Sequence, residues 1–205
     1  ANTLDDLRQA ISDFDGIGLK KTASNMVFSD GNSKAKIMLV GDAPAADEDR
    51  EGKPFAGVTG QLLDKILACI DIDRGSEDAL SSIYISNVLN WRPPGNRTPA
   101  PGEIEASLPF IERHIQLINP DILIFCGGAA AKALLGSGDG ISKLRKKWHD
   151  YEPQTEELRG DSKPIKAIVT FHPSQLLTTP THKKAVWADM LSIQRHRIEN
   201  KLMPE

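Results

Sequence analysis

The chain has 205 residues, 40% of them hydrophobic and 26% charged, with a formal net charge of −3. Length and apolar content suffice for one buried core and predict a single domain over residues 1–205, while the charge argues against indiscriminate polyanion binding. No apolar stretch approaches the roughly 18 residues of a membrane span, and ANTLDDLRQAISDF lacks the basic-then-apolar order of a secretion signal, so a soluble, cytoplasmic protein without membrane contact is expected.

Thr3 and Asp6 have capping-box spacing, and Leu4, Leu7, Ile11 and Phe14 follow at helical intervals, predicting an amphipathic helix at the start of the chain. A strand over Lys36 to Val40 comes next. A long glycine-containing loop leads to a helix over Gln61 to Ile70 and a strand over Ile83 to Val88. After the proline-rich RPPGNRTPAPG, a helix is expected over Glu103 to Ile118, stopped by Asn119 and Pro120, then a strand over Asp121 to Cys126. Gly127 and Gly128 open a helix through Leu135. GSGDG and EPQTEELRGDSKP read as surface loops. A strand over Ile165 to Phe171 leads through HPSQLLTTPTHKK into a closing helix with Trp187 and Met190. This alternation predicts an α/β fold, a three-layer α/β/α sandwich around a four-stranded parallel sheet.

Three of the four apolar strand runs end on Asp42, Asn87 and His172. In open α/β sheets the crevice beyond the carboxyl ends of the strands is where ligands bind, so a carboxylate, an amide and an imidazole are expected to meet there. The cysteines, Cys69 and Cys126, form no CxxC pair and read as buried inert thiols. A local basic groove is open to Lys53, Arg92, Arg97, Arg145, Lys146, Lys147, Lys183 and Lys184, although charge runs are also common on plain solvated faces. GxxxxGK[ST] and GxSxG are absent, and the first βα turn lacks a Rossmann fingerprint.

The first of these strands runs instead into GDAPAADEDREGKPFAGVTGQLL. That block, with NVLNWRPPGNRTP and FHPSQLL in order, resembles the uracil-DNA glycosylase superfamily, most closely its iron–sulfur class, family 4, over about Phe14 to Trp187. The resemblance implies a DNA-repair glycosylase that hydrolyses the N-glycosidic bond of uracil in DNA and leaves an abasic site. It assigns Asp42, His172 and Glu48 to catalysis. Ala43, Phe55, Asn87 and Asn96 would bind substrate, and Ser174, Leu176, Arg97 and Lys183 would contact DNA.

These residue types suit the reaction. An enzyme acting on a base takes it out of the stack and reads its polar edge in a pocket. The Asn87 amide offers a donor and an acceptor to the N3–H and O4 edge, and its alternative is a strand-end cap. Phe55, flanked by glycines and a proline, is expected as an exposed loop aromatic stacking on the flipped ring; otherwise it is core. Asp42 would stand beneath the sugar as positive charge develops, or simply cap a loop or helix. His172 would hydrogen-bond uracil O2 as charge gathers on the leaving base. Glu48 would line the pocket near C5, or belong with Asp47 and Asp49 to a solvated acidic loop. Asn96 would sit in the pocket or on DNA, Leu176 would wedge into the duplex, and Ser174 with Lys183 would meet phosphates.

Two departures from the family pattern matter. Its four cluster cysteines correspond here to Phe14, Ile17, Trp91 and Ser107, none of which supplies a thiolate, so no cluster and no other metal site is expected, with Phe14, Ile17 and Trp91 packed as a small apolar core. The first motif, usually GE[AG]PG, reads Gly41, Asp42, Ala43, Pro44, Ala45, which shortens the carboxylate arm by one methylene. RPPGNRTPAPG lacks the basic insertion and histidine of relatives that trap DNA covalently, so no covalent capture is expected. Two alternatives stand beside the uracil glycosylase: a DNA-damage-binding module, and a glycosylase for hypoxanthine or xanthine. A monomer with one open DNA face is expected.

Overall fold

The computed structural model describes residues 1–160 and 163–204. Its strands are β1 (Asp30–Gly31), β2 (Ile37–Gly41), β3 (Tyr84–Asn87), β4 (Ile122–Cys126), β5 (His149–Tyr151) and β6 (Ile165–Thr170). They form one six-stranded sheet in the order β1-β3-β2-β4-β6-β5. The four expected strands are its parallel interior, and β1 and β5 pair antiparallel at the edges. The four-stranded expectation is therefore corrected to six. Edge strands of two and three residues are too short to show a hydrophobic period.

Helices α1 (Leu4–Asp13), α2 (Ala46–Glu51), α3 (Gly57–Ala68), α4 (Pro101–Ile118), α5 (Gly128–Leu135), α6 (Ile141–Leu144), α7 (Pro173–Thr178) and α8 (Lys183–Glu199) complete the chain. The Thr3 capping box is formed, with Asp6 N–H donating to Thr3 Oγ1 at 3.1 Å. Asn119 ends α4 in the left-handed region, at φ 50°. The expected long loop after β2 contains α2, and α3 starts four residues before Gln61. Within EPQTEELRGDSKP a 3-10 turn spans Glu156–Leu158, and residues 161–162 lie outside the described residues.

Strand residues alternate between the two faces of the sheet, as the pleat requires. Ile37, Leu39, Ile85, Ile122, Ile124 and Ile168 pack under α3, α7 and α8. Met38, Val40, Leu123, Phe125 and Val169 pack under α4 and α5. Helix α1 lies outside α4, with Leu7 and Ile11 against Phe28, Phe110 and Leu117. Because both faces are covered, the interior strands read as continuous apolar runs.

Register positions the site. Gly41 pairs with Asn87 on one side and Cys126 on the other, and Cys126 pairs with Thr170. The parallel strands thus end level, and Asp42, Asn87, Gly127 and Phe171 with His172 emerge along one edge.

Candidate active site

At the centre of that edge is a glycine that has to be small. A Cβ on Gly41 would lie 2.4 Å from Asn87 Oδ1 and 2.8 Å from the Phe55 ring, so the absent side chain lets the amide and the aromatic close on the strand end. Asn87 is 2% exposed, and among the described residues its side-chain amide makes no hydrogen bond, which fits a ligand-reading amide better than the strand-end cap. The Phe55 ring stacks on His172, with centroids 5.0 Å apart and planes at 26°. Asn87, Phe55 and His172 thus form one contiguous wall.

Phe55 is not the exposed loop aromatic its neighbours suggested: it is 2% exposed and belongs to the core packed under α3. The flanking residues turn the chain inward, with Phe55 at φ 51° and Gly57 at φ 67°.

His172 is the N-cap of α7. The Ser174 backbone N–H donates to His172 Nδ1 at 3.2 Å, and the Ser174 hydroxyl lies 2.8 Å from the same nitrogen. A backbone N–H can only donate, so Nδ1 is the acceptor and the ring proton resides on Nε2. Burial pushes the imidazole pKa down to about 4, leaving a neutral ring that donates from Nε2 at neutral pH. The preceding residue, Phe171, is held between the His182 ring, 4.2 Å away and stacked, and the Arg145 guanidinium, 4.5 Å away.

Asp42 reaches the N-terminus of α5. Its Oδ1 accepts from Ala130 N–H at 2.7 Å, and a Cβ on Gly127, at φ 119°, would lie 2.5 Å from its Oδ2. Burial raises its pKa to about 6, with the Ala130 and Ala129 amides opposing. The side chain thus caps the start of α5 from outside the helix while standing at the same strand end as Asn87.

The remaining expected site residues have the following surroundings. Glu48 is buried on α2, not in a solvated loop, and its Oε2 accepts from Ala45 N–H at 3.2 Å; burial raises its pKa. Ala43 packs on Ile17, Leu19 and Leu89, on a cluster separate from the one that holds Phe55. Asn96 is exposed at φ 55° and accepts from Arg92 Nε at 2.7 Å. Leu176 is 1% exposed and packed in the core, whereas its neighbour Leu177 is 49% exposed. A wedge must be reachable, and of the two leucines Leu177 is the accessible one. One helical step separates the two, and HPSQLL alone does not say which leucine faces in.

The basic groove is thinner than expected. Arg97 forms a bidentate pair with Glu103 at 2.9 and 2.6 Å, and Arg145 pairs with Asp189 at 2.9 and 2.8 Å while stacking on Phe171. Lys53, Lys146, Lys147, Lys183 and Lys184 are exposed and carry no ion pair among the described residues. Ser174 is exposed but engaged with His172. Cys126 is buried as expected, but Cys69 is exposed.

The positions that the resemblance assigns to cluster ligands do not fit a metal cluster. Phe14, Ile17 and Trp91 pack together with Leu19, Leu89, Ala43 and Ala106, and Ser107 is 2% exposed on α4. Among the described residues, no group of three or more His, Cys, Asp or Glu is placed to hold a metal ion.

The family described as the Uracil DNA glycosylase superfamily matches residues 28–191. A protein of Archaeoglobus fulgidus named Type-4 uracil-DNA glycosylase is 35% identical over 195 residues, covering 93% of this chain and 92% of its own. Proteins of the same name from Pyrobaculum aerophilum and Thermotoga maritima are 34% and 39% identical, over 86% and 75% of this chain and 86% and 72% of theirs. A family match over most of the chain, with relatives of this identity spanning nearly its full length, settles the assignment: the chain belongs to the uracil DNA glycosylase superfamily and is similar to its type-4 members.

Proposed function

We propose that the protein is a monofunctional DNA-repair glycosylase that hydrolyses the N-glycosidic bond of deoxyuridine in DNA, releasing uracil and leaving an abasic site. The observation that carries this reading is the neutral His172, held in its Nε2–H tautomer beside Phe55 and Asn87.

When the C1′–N1 bond breaks, its electron pair leaves with the base and charge gathers at O2. A neutral imidazole donates a hydrogen bond to that oxygen without first placing a cation in a buried site. Asn87 reads N3–H and O4, and Phe55, buried against His172, supplies the ring face for stacking. Asp42, with its pKa near 6, is mostly ionised at neutral pH and stabilises the cationic sugar until water adds to C1′, and the proton that water loses neutralises the departing uracil anion. Ala43 and Glu48 shape the loop from Asp42 to Phe55. Outside the pocket, Leu177 enters the duplex, while Lys183, Arg97, Asn96 and Ser174 face the backbone. The protein works in this reading as a cytoplasmic monomer, as one domain and without an iron–sulfur cluster, its apolar group around Ile17 bracing the loop instead. No described helix is long and apolar enough to cross a membrane.

One observation favours a binding module: an Asp42 oxygen is already engaged by Ala130 N–H. Single- and double-stranded oligonucleotides carrying one uracil, assayed for alkali-labile sites beside Asn87→Ala and His172→Ala, separate the readings. Cleavage lost in both variants supports the glycosylase. Tight binding without release selects the module, and release only from hypoxanthine or xanthine selects the other lesion.

A further inference from the structure

We propose that Arg74 is a positioning residue of the candidate site, setting the backbone of Phe55 and through it the place of the ring. The inference rests on the base-binding reading above for its functional consequence, but the geometry stands by itself.

Phe55 has φ 51°, in the left-handed region that an aromatic residue rarely occupies. Something nearby has to hold it there. Arg74 Nη1 donates to the carbonyl oxygens of Pro54 at 3.1 Å and Phe55 at 3.2 Å. Those two carbonyls belong to the peptide planes on either side of the Phe55 Cα, so one donor group constrains both φ and ψ of that residue.

The guanidinium is itself tethered. Its Nε donates to Asp64 Oδ1 on α3 at 2.9 Å, and its Nη1 also meets Asp30 Oδ2 on β1 at 3.3 Å. The Arg74 side chain is only 16% exposed, so its bonds to the two carbonyls are largely shielded, whereas its Asp64 partner is open to solvent. From the other side the Phe55 carbonyl presses on α3 at Gly60, where a Cβ would come within 1.7 Å of that oxygen. The ring end of the same residue lies against Gly41 and His172. Arg74 therefore acts from behind the loop, 19 residues along the chain from the ring it places.

A planar guanidinium with a fork of donors satisfies two consecutive carbonyls and two carboxylates together, which a lysine ammonium does not match in geometry. Arg74→Lys keeps the charge and restores the position only in part.

The test reads position and affinity separately. In the free protein, the His172 ring-proton resonances carry the ring current of Phe55, which Phe55→Leu removes. In Arg74→Met these resonances are expected to move most of the way to their Phe55→Leu values, with thermal unfolding still cooperative and Arg74→Lys lying between. Free uracil, used as the probe, is expected to bind ~10-fold more weakly to Arg74→Met, ~10-fold more weakly to Phe55→Leu, and no weaker than that to the double variant. Unmoved His172 resonances in Arg74→Met overturn the proposal, as does a double variant in which the two losses multiply. Should Arg74→Met fail to fold, Arg74→Lys is judged by the same two readouts. If wild-type protein binds no uracil, the base-binding reading fails and the ring-proton readout still decides the role of Arg74.

Discussion

The backbone N–H of Ser174 and the Nδ1 of His172 are 3.2 Å apart, and this bond decides that the imidazole proton is on Nε2. With His172 neutral above about pH 4, Asp42, raised to about 6, is expected to set the acid limb of the reaction. Single-turnover uracil release is expected to be flat above that value and to fall about tenfold per pH unit below it. Measured from pH 4.5 to 8, the acid limb should vanish in Asp42→Asn; a limb that persists there would assign it to another group.

Stability should also depend on pH. His172 and His114 are held at about 4 and about 3, below the 6.5 of an unfolded histidine. They contribute stability that is fully present above 6.5 and is lost as pH falls toward their folded values. Asp42 acts in the opposite sense, contributing below 3.8 and losing that contribution as pH rises through about 6. The two histidines therefore favour a loss of stability on acidification below 6.5, opposed by Asp42 and, in the same sense, by the raised Glu48 and Asp189 carboxyls. Urea unfolding at pH 7 and pH 5 checks the sign, and His114→Gln should flatten the slope.

Gly41→Ala places a methyl against the Asn87 oxygen and the Phe55 ring, while Gly41 itself has no left-handed φ to lose. Activity of the folded protein is expected to fall by ~10²-fold, because displacement on the ångström scale suffices, alongside an overpacking cost of about 1–3 kcal/mol in stability. Kinetics and calorimetry on the same sample test it; undiminished activity of the folded fraction would make Gly41 a packing residue only.

The two leucines of α7 should separate cleanly. Leu176→Ala empties a core position and is expected to cost about 2–5 kcal/mol in urea unfolding. Leu177→Ala should leave stability within about 0.5 kcal/mol of wild type and slow release from duplex more than from single-stranded substrate.

Iron measured by emission spectroscopy in protein purified without air is expected to be far below stoichiometric, and chelators should leave activity unchanged. Ile17→Ala, which removes a central side chain of the apolar group, should destabilise by about 2–4 kcal/mol. Brown protein with stoichiometric iron would overturn the cluster-free reading.

The chemistry-bearing strand ends were legible in the residues alone because strands buried on both faces announce themselves as unbroken apolar runs, and the residue just past such a run lies at the sheet's carboxyl edge. The opening helix was legible for the same local reason, its cap and its apolar spacing lying within eleven residues of each other, Thr3 to Phe14. Tertiary structure alone decided the rest. Asp30–Gly31 and His149–Tyr151 become strands only because a sheet edge is there to pair with. Phe55 meets Gly41 and the Arg74 guanidinium, both distant in sequence, and Leu176 rather than Leu177 is buried because of how α7 sits against the rest of the core. Periodicity and motifs record what a residue does with its own segment. Which side chains meet across segments is decided by strand register and helix packing, set by contacts that no local pattern encodes.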